Sequence, residues 1–138
     1  MNVNDRNTGE NNMPKNYYQY RNAYRLHPST MKYITWKVLQ YPMFLEEIKR
    51  IDAKNILKIT KKDIENKAAM EEQINLIDSC LEKYVSEDKR QAVKEHCCFG
   101  IEYEILESKY QWEMTAIKKA AQKFIWGVAQ ECGEDYRS

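Results

Sequence analysis

His96-Cys97-Cys98, with Cys132 further along, gathers the side chains of this sequence best suited to metal or nucleophilic chemistry. Thiolates and an imidazole suit zinc. Structural zinc sites use spaced pairs of ligands, however, whereas adjacent helical residues point about 100° apart. The same divergence separates Cys97 from His96 as nucleophile and base, and no third group is placed to orient the imidazole. Glu46-Glu47 and Glu71-Glu72 stand beside lysines in helical stretches, where solvated faces and weak ion pairs account for them. There is no Gly-rich phosphate loop and no GxSxG elbow. These patterns imply no catalytic centre, cofactor or metal, and cysteines held as buried or half-buried thiols.

A different chemistry is written near the C-terminus. On a helix over about Glu113 to Glu131, Ile117, Ala121, Phe124 and Val128 share one face, and Thr115, Lys118, Lys119, Gln122 and Lys123 cover the other. A recognition helix needs this division, because its apolar side anchors it while Lys and Gln reach phosphates and base edges in the DNA major groove. An ordinary solvated face has the same pattern. Trp126 lies on the outer side, either exposed as a partner surface or buried under the N-terminal segment.

A second basic region precedes it. Between Asn11 and Leu45 no acidic residue occurs, while Lys15, Arg21, Arg25, Lys32 and Lys37 alternate with tyrosines and Trp36. Cations among aromatic rings suit a phosphate backbone or an acidic partner, with Arg21, Arg25 and Lys32 as lesser DNA contacts. The alternative is aromatic packing on a neighbouring helix.

The elements that must position these groups are helical. Four glycines and three prolines in 138 residues are too few for a sheet joined by tight turns. Residues 1–13 are polar and are expected to form a mobile tail, followed by a single helical domain over 14–138. His27-Pro28-Ser29-Thr30 reads as a break and helix start. Ile34, Val38, Tyr41, Leu45 and Ile48 then follow at steps of four, three, four and three, with two helices expected to meet at Tyr41-Pro42. Thr60 and Asp63 resemble a capping box ahead of a long helix. Its stripe of Met70, Ile74, Ile77, Leu81 and Tyr84 either fills the core or meets a second chain. Ser86 starts a helix to about Cys98, Phe99-Gly100 ends it, and helices over Ile101 to Tyr110 and Glu113 to Glu131 follow, with Gly133 as the final stop.

The order of short helix, turn and positive helix over 86–133 suits a helix-turn-helix. IDSCLEKYVSEDKRQAVKEHCCFG followed by IEYEILESKYQWEMTAIKKAAQKFIWGVAQECG resembles the promoter-recognition domain of sigma factors, and more closely the small sigma-like, RinA-like transcriptional regulators of prophages in Gram-positive bacteria. YITWKVLQYPMFLEEIKRI is similar to the N-terminal part of those proteins. The resemblance covers most of residues 30–133 and implies an all-α fold, no cofactor, and double-stranded DNA as partner. Leu106 and Tyr110 stand where such motifs carry a small residue and a glycine, so a distorted or longer turn is expected.

The expected architecture is all-α, with about six helices, the N-terminal ones packed on the long central helix, and a C-terminal helix-turn-helix. The expected function is transcriptional regulation by DNA binding, as a phage-type activator. Net charge is only +1, and residues 86–138 hold eight Lys or Arg against ten Asp or Glu, so either the N-terminal basic and aromatic segment supplies phosphate contacts while the last helix reads bases, or a homodimer or RNA polymerase supplies the missing affinity. The rival reading is a helical interaction module whose basic and aromatic surface binds RNA polymerase or a host defence protein. No apolar run nears the roughly 20 residues of a membrane span, the N-terminus lacks the apolar core of a secretion signal, and four cysteines without spaced pairing fit reduced thiols in the cytoplasm.

Overall fold

Proline and a missing cap set the first helical boundaries. Pro28 occupies the opening turn of α1 (Pro28–Leu39), where its absent amide proton costs nothing, and the His27 ring accepts the Ser29 amide. Gln40 interrupts the chain for one residue before α2 (Tyr41–Asp52), whose first turn carries Pro42. The computed structural model describes residues 24–134, so the expected tail over 1–13 and the Arg21 contact lie outside the described residues. A 3-10 turn at Ile56–Lys58 leads to α3 (Lys61–Tyr84), and another at Glu87–Lys89 leads to α4 (Arg90–Phe99). The chain continues through α5 (Tyr103–Tyr110) and α6 (Met114–Glu131). Among the described residues these six α-helices and two 3-10 turns are the only regular elements, and no helix is long and apolar enough to cross a membrane.

The capping box forms with Asp in the usual Glu or Gln position. Asp63 donates its amide to Thr60 Oγ1 at 3.0 Å, and the Thr60 amide donates to Asp63 Oδ2 at 3.1 Å. Lys54 Nζ donates to the same carboxylate oxygen at 2.8 Å. The Lys54 ammonium, with help from the Thr60 amide, draws the carboxyl down to about 2. One side chain thereby ties the α2–α3 connector to the start of α3.

The single stripe expected across α1 and α2 divides at Gln40. Ile34, Val38 and Tyr41 are buried, but Leu45 is exposed and Ile48 only half-buried, and α2 instead buries Ile51. A one-residue break resets the helical phase, so a periodicity counted through it points its second half outward. Similarly, the helix expected from Ser86 begins at Arg90, because Ser86 introduces the 3-10 turn and bonds to Asp88.

The centre of the molecule also differs from expectation. The N-terminal helices do not both pack on α3: α2 does, while α1 lies on α6 and α4. Helix α4 touches all five other helices and α6 touches α1, α3, α4 and α5, so these two form the centre. Phe124, Ile125, Gly127, Val128 and Ala129 are all buried, so the C-terminal half of α6 is enclosed on nearly every side. The main core joins them to Ile34, Val38, Ile77, Leu81, Val93 and Cys98.

Candidate nucleic-acid interface

A smaller core holds the two helices of the expected helix-turn-helix together. Leu106 of α5, Ile117 of α6 and Ala92 of α4 are buried against one another, with Ile101, Tyr103, Tyr110 and Trp112 packed around them. The bulk at Leu106 is therefore accommodated by burial. The link from α5 to α6 is three residues, Gln111-Trp112-Glu113, the length usual for this motif. It is not lengthened, and its distortion is confined to Gln111, which takes the left-handed conformation (φ 57°, ψ 32°) that a glycine ordinarily supplies.

Helix α4 fixes this turn from outside. Tyr110 donates its hydroxyl to Glu95 Oε2 at 2.5 Å, Lys109 Nζ lies 2.9 Å from Glu95 Oε1, and Lys89 Nζ sits 4.3 Å above the Trp112 ring. A left-handed backbone on a residue with a Cβ costs roughly 1–2 kcal/mol, part of which glycine would return as chain entropy. Gln111→Gly is accordingly expected to raise stability by about 0.5–1 kcal/mol in urea denaturation. A lower midpoint would show that the Gln111 side chain contributes more than its backbone strain costs.

The five residues expected on the recognition face divide into two groups. Thr115 and Lys118 are exposed, and Lys119 is half-buried beside them. Lys118 Nζ lies 5.4 Å from the Tyr103 ring centroid. Gln122 and Lys123 are half-buried beneath the chain entering α1: Gln122 Nε2 donates to the Tyr24 carbonyl at 3.5 Å, and Lys123 Nζ lies 5.5 Å from the Tyr24 ring centroid. The surface available to a ligand is thus the first two turns of α6.

Trp126 does not stand free as a partner surface. Its ring is half-buried between Tyr24 and Tyr84, both edge-on at 5.0 and 5.9 Å, and its indole nitrogen is buried. Aromatic packing took this position because α3 and the residues before α1 close over the outer side of α6.

Arg25 and Lys32 are exposed on the same side of the molecule as the start of α6. Arg25, Lys32 and Gln122 line one concavity, and Gln122 and Lys118 line the adjoining one. The tertiary fold therefore brings two basic groups from residues 25–32 to the surface shared with Lys118, although some 90 residues separate them in sequence. One carboxylate stands at the start of α6. Glu107 accepts the free Met114 amide at 3.1 Å, so a carboxylate already occupies the helix terminus where a phosphate would bind.

No protein-family model, curated protein or solved structure matches this chain.

The cysteine and histidine residues are committed elsewhere. His96 stacks on Tyr103 at 3.8 Å, and its Nδ1 lies 2.7 Å from the Ile101 carbonyl, which can only accept, so Nδ1 carries the proton. Burial raises the Cys97 thiol far above its usual range and pushes Cys80 and Cys98 up to about 12, which disfavours thiolate. Among the described residues no group of three or more His, Cys, Asp or Glu side chains is placed to hold a metal ion.

Gln111 and Glu107 shape the interface without having stood out in the sequence. A left-handed glutamine has no compositional signal, and the Glu107 contact spans seven residues across a turn. Met31, Thr35 and Leu39, which line both concavities, had a legible signal, a second four-residue spacing on α1 beside the buried Ile34 and Val38.

Proposed function

We propose that this protein is a DNA-binding transcriptional regulator whose α5–turn–α6 unit enters the major groove. The observation that carries the reading is the division of α6: its C-terminal half is locked in the core, while Thr115, Lys118 and Lys119 stand at its outer start, directly after a three-residue turn. Helix-turn-helix proteins contact base edges with the N-terminal residues of the second helix, and such anchoring holds them in a fixed pose. Arg25 and Lys32 supply backbone contacts from the neighbouring rim. The resemblance to the sigma-like prophage regulators points the same way, toward activation of transcription.

The charge distribution limits unaided affinity. Glu107 at the α6 terminus and the acidic excess over 86–138 weaken the local positive field, so a homodimer or RNA polymerase supplies the remaining contacts. With about four phosphate contacts from Arg25, Lys32, Lys118 and Lys119, affinity for a labelled duplex should fall roughly 100-fold between about 50 and about 200 mM salt. Fluorescence anisotropy measures this directly. Absence of duplex binding at the lower salt would overturn the DNA reading and leave a protein-partner function.

A further inference from the structure

Two concavities adjoin one another along α1. One, of about 670 Å³, runs from Arg25 and Leu26 to Trp36, and the other, of about 460 Å³, continues past Gly100 and Tyr103 to Ile125. Met31, Thr35, Leu39 and Gln122 line both, making one continuous groove between α1 and α6 with the α4–α5 corner at its far end. Its walls leave large apolar side chains in water: Met31 is 39% exposed, Trp36 58% and Leu39 42%. A surface of this kind on a water-exposed helix marks a place where another apolar surface sits.

The chemistry of the lining identifies that surface. Among the described residues Arg25, Lys32 and Lys118 supply its charge, and no Asp or Glu lines either concavity. The floor is formed by helices whose backbone groups are already paired within them. An extended ligand would therefore press unpaired amides and carbonyls onto an apolar floor, whereas a helix satisfies its own backbone. Met31 to Leu39 spans about 12 Å along α1, which matches apolar anchors at positions i, i+4 and i+7 of a bound helix.

We infer that the groove between α1 and α6 docks an amphipathic helix of a partner protein, with apolar anchors on Met31, Trp36 and Leu39 and flanking carboxylates paired with Arg25, Lys32 and Lys118. DNA does not fit this floor, since sugar and phosphate gain nothing from methionine and leucine. The docking site shares Arg25, Lys32 and Lys118 with the proposed DNA contacts, while Thr115 and Lys119 lie outside its lining, so its apolar anchors are what separate the two readings. It also provides the protein contact that the weak basic field of the helix-turn-helix calls for.

The test uses the full chain and a labelled helical peptide with leucines at i, i+4 and i+7 flanked by glutamates, beside a counterpart with lysines in place of the glutamates. The acidic peptide is expected to bind at least tenfold more tightly than the lysine peptide. Met31→Ser with Leu39→Ser, both at exposed sites, should weaken it about tenfold while the circular dichroism spectrum and duplex binding stay unchanged. Equal affinity for the two peptides, no saturation by about 1 mM, or indifference to the double substitution would overturn the inference. So would a parallel loss of duplex binding in the same variant, which would make the groove part of a nucleic-acid surface. Self-association of the protein that the double substitution abolishes would assign the groove to a second copy instead.

Discussion

Gly127→Ala is expected to destabilise the protein by about 2 kcal/mol, lowering the thermal midpoint by roughly 8 °C. A methyl group at this position would lie 2.2 Å from Tyr84 Cδ2, with two further ring carbons at 2.4 and 2.6 Å. The ring has little freedom to withdraw. Its hydroxyl donates to Glu131 Oε2 at 2.7 Å, and its edge meets Trp126 at 5.9 Å. In a solvated helix the same substitution would gain about 1 kcal/mol from propensity, so the contact must overcome that gain. Removing the ring reverses the sign: in a Tyr84→Ala background, Gly127→Ala should become stabilising. Urea denaturation of the four proteins measures the cycle, and a destabilisation that persists without the ring would mean that another neighbour enforces Gly127.

Thr115→Glu with Lys119→Glu should lower duplex affinity by about 100-fold or more at low salt, and should flatten the salt dependence of whatever binding remains. Both positions lie on the outer side of the first two turns of α6, one helical turn apart, where a carboxylate would face the phosphate backbone. The new charges would join Glu107, already bound to the first amide of the helix, and make that terminus distinctly acidic. Because neither side chain lines the α1–α6 groove, binding of the acidic peptide should be unaffected. Unchanged duplex affinity with an intact helical spectrum would remove α6 as the reading helix.

These two positions show which features of the chain were local enough to read. The capping box at Thr60 and Asp63 and the stop at Gly100 (φ 72°) each depend on a few adjacent residues and formed where the pattern put them, and the break expected at Tyr41-Pro42 fell one residue earlier, at Gln40. Gly127 carried no such meaning in sequence. A glycine inside a helix reads as a small penalty until the ring that needs its space is known, and that ring lies 43 positions away. The outer face of α6 was only partly legible for the same reason. Lys123 and Trp126 occupy the expected side of the helix, yet Tyr24 covers both, because the chain entering α1 crosses that side.

By itself the sequence determined the helical class, most helix boundaries and the apolar stripes at Ile34, Val38, Ile77 and Leu81, since these follow from backbone sterics and a period of about 3.6 residues. Tertiary structure decided the rest. It put α4 and α6 at the centre in place of the longer α3, turned Leu45 outward, and gave Gln111 a left-handed backbone held beside Glu95 contacts. It also assembled Arg25, Lys32 and Lys118 around one apolar groove. Periodicity specifies which side of a helix is apolar, but which helix covers it, and what is left uncovered, depends on contacts between residues far apart in the chain.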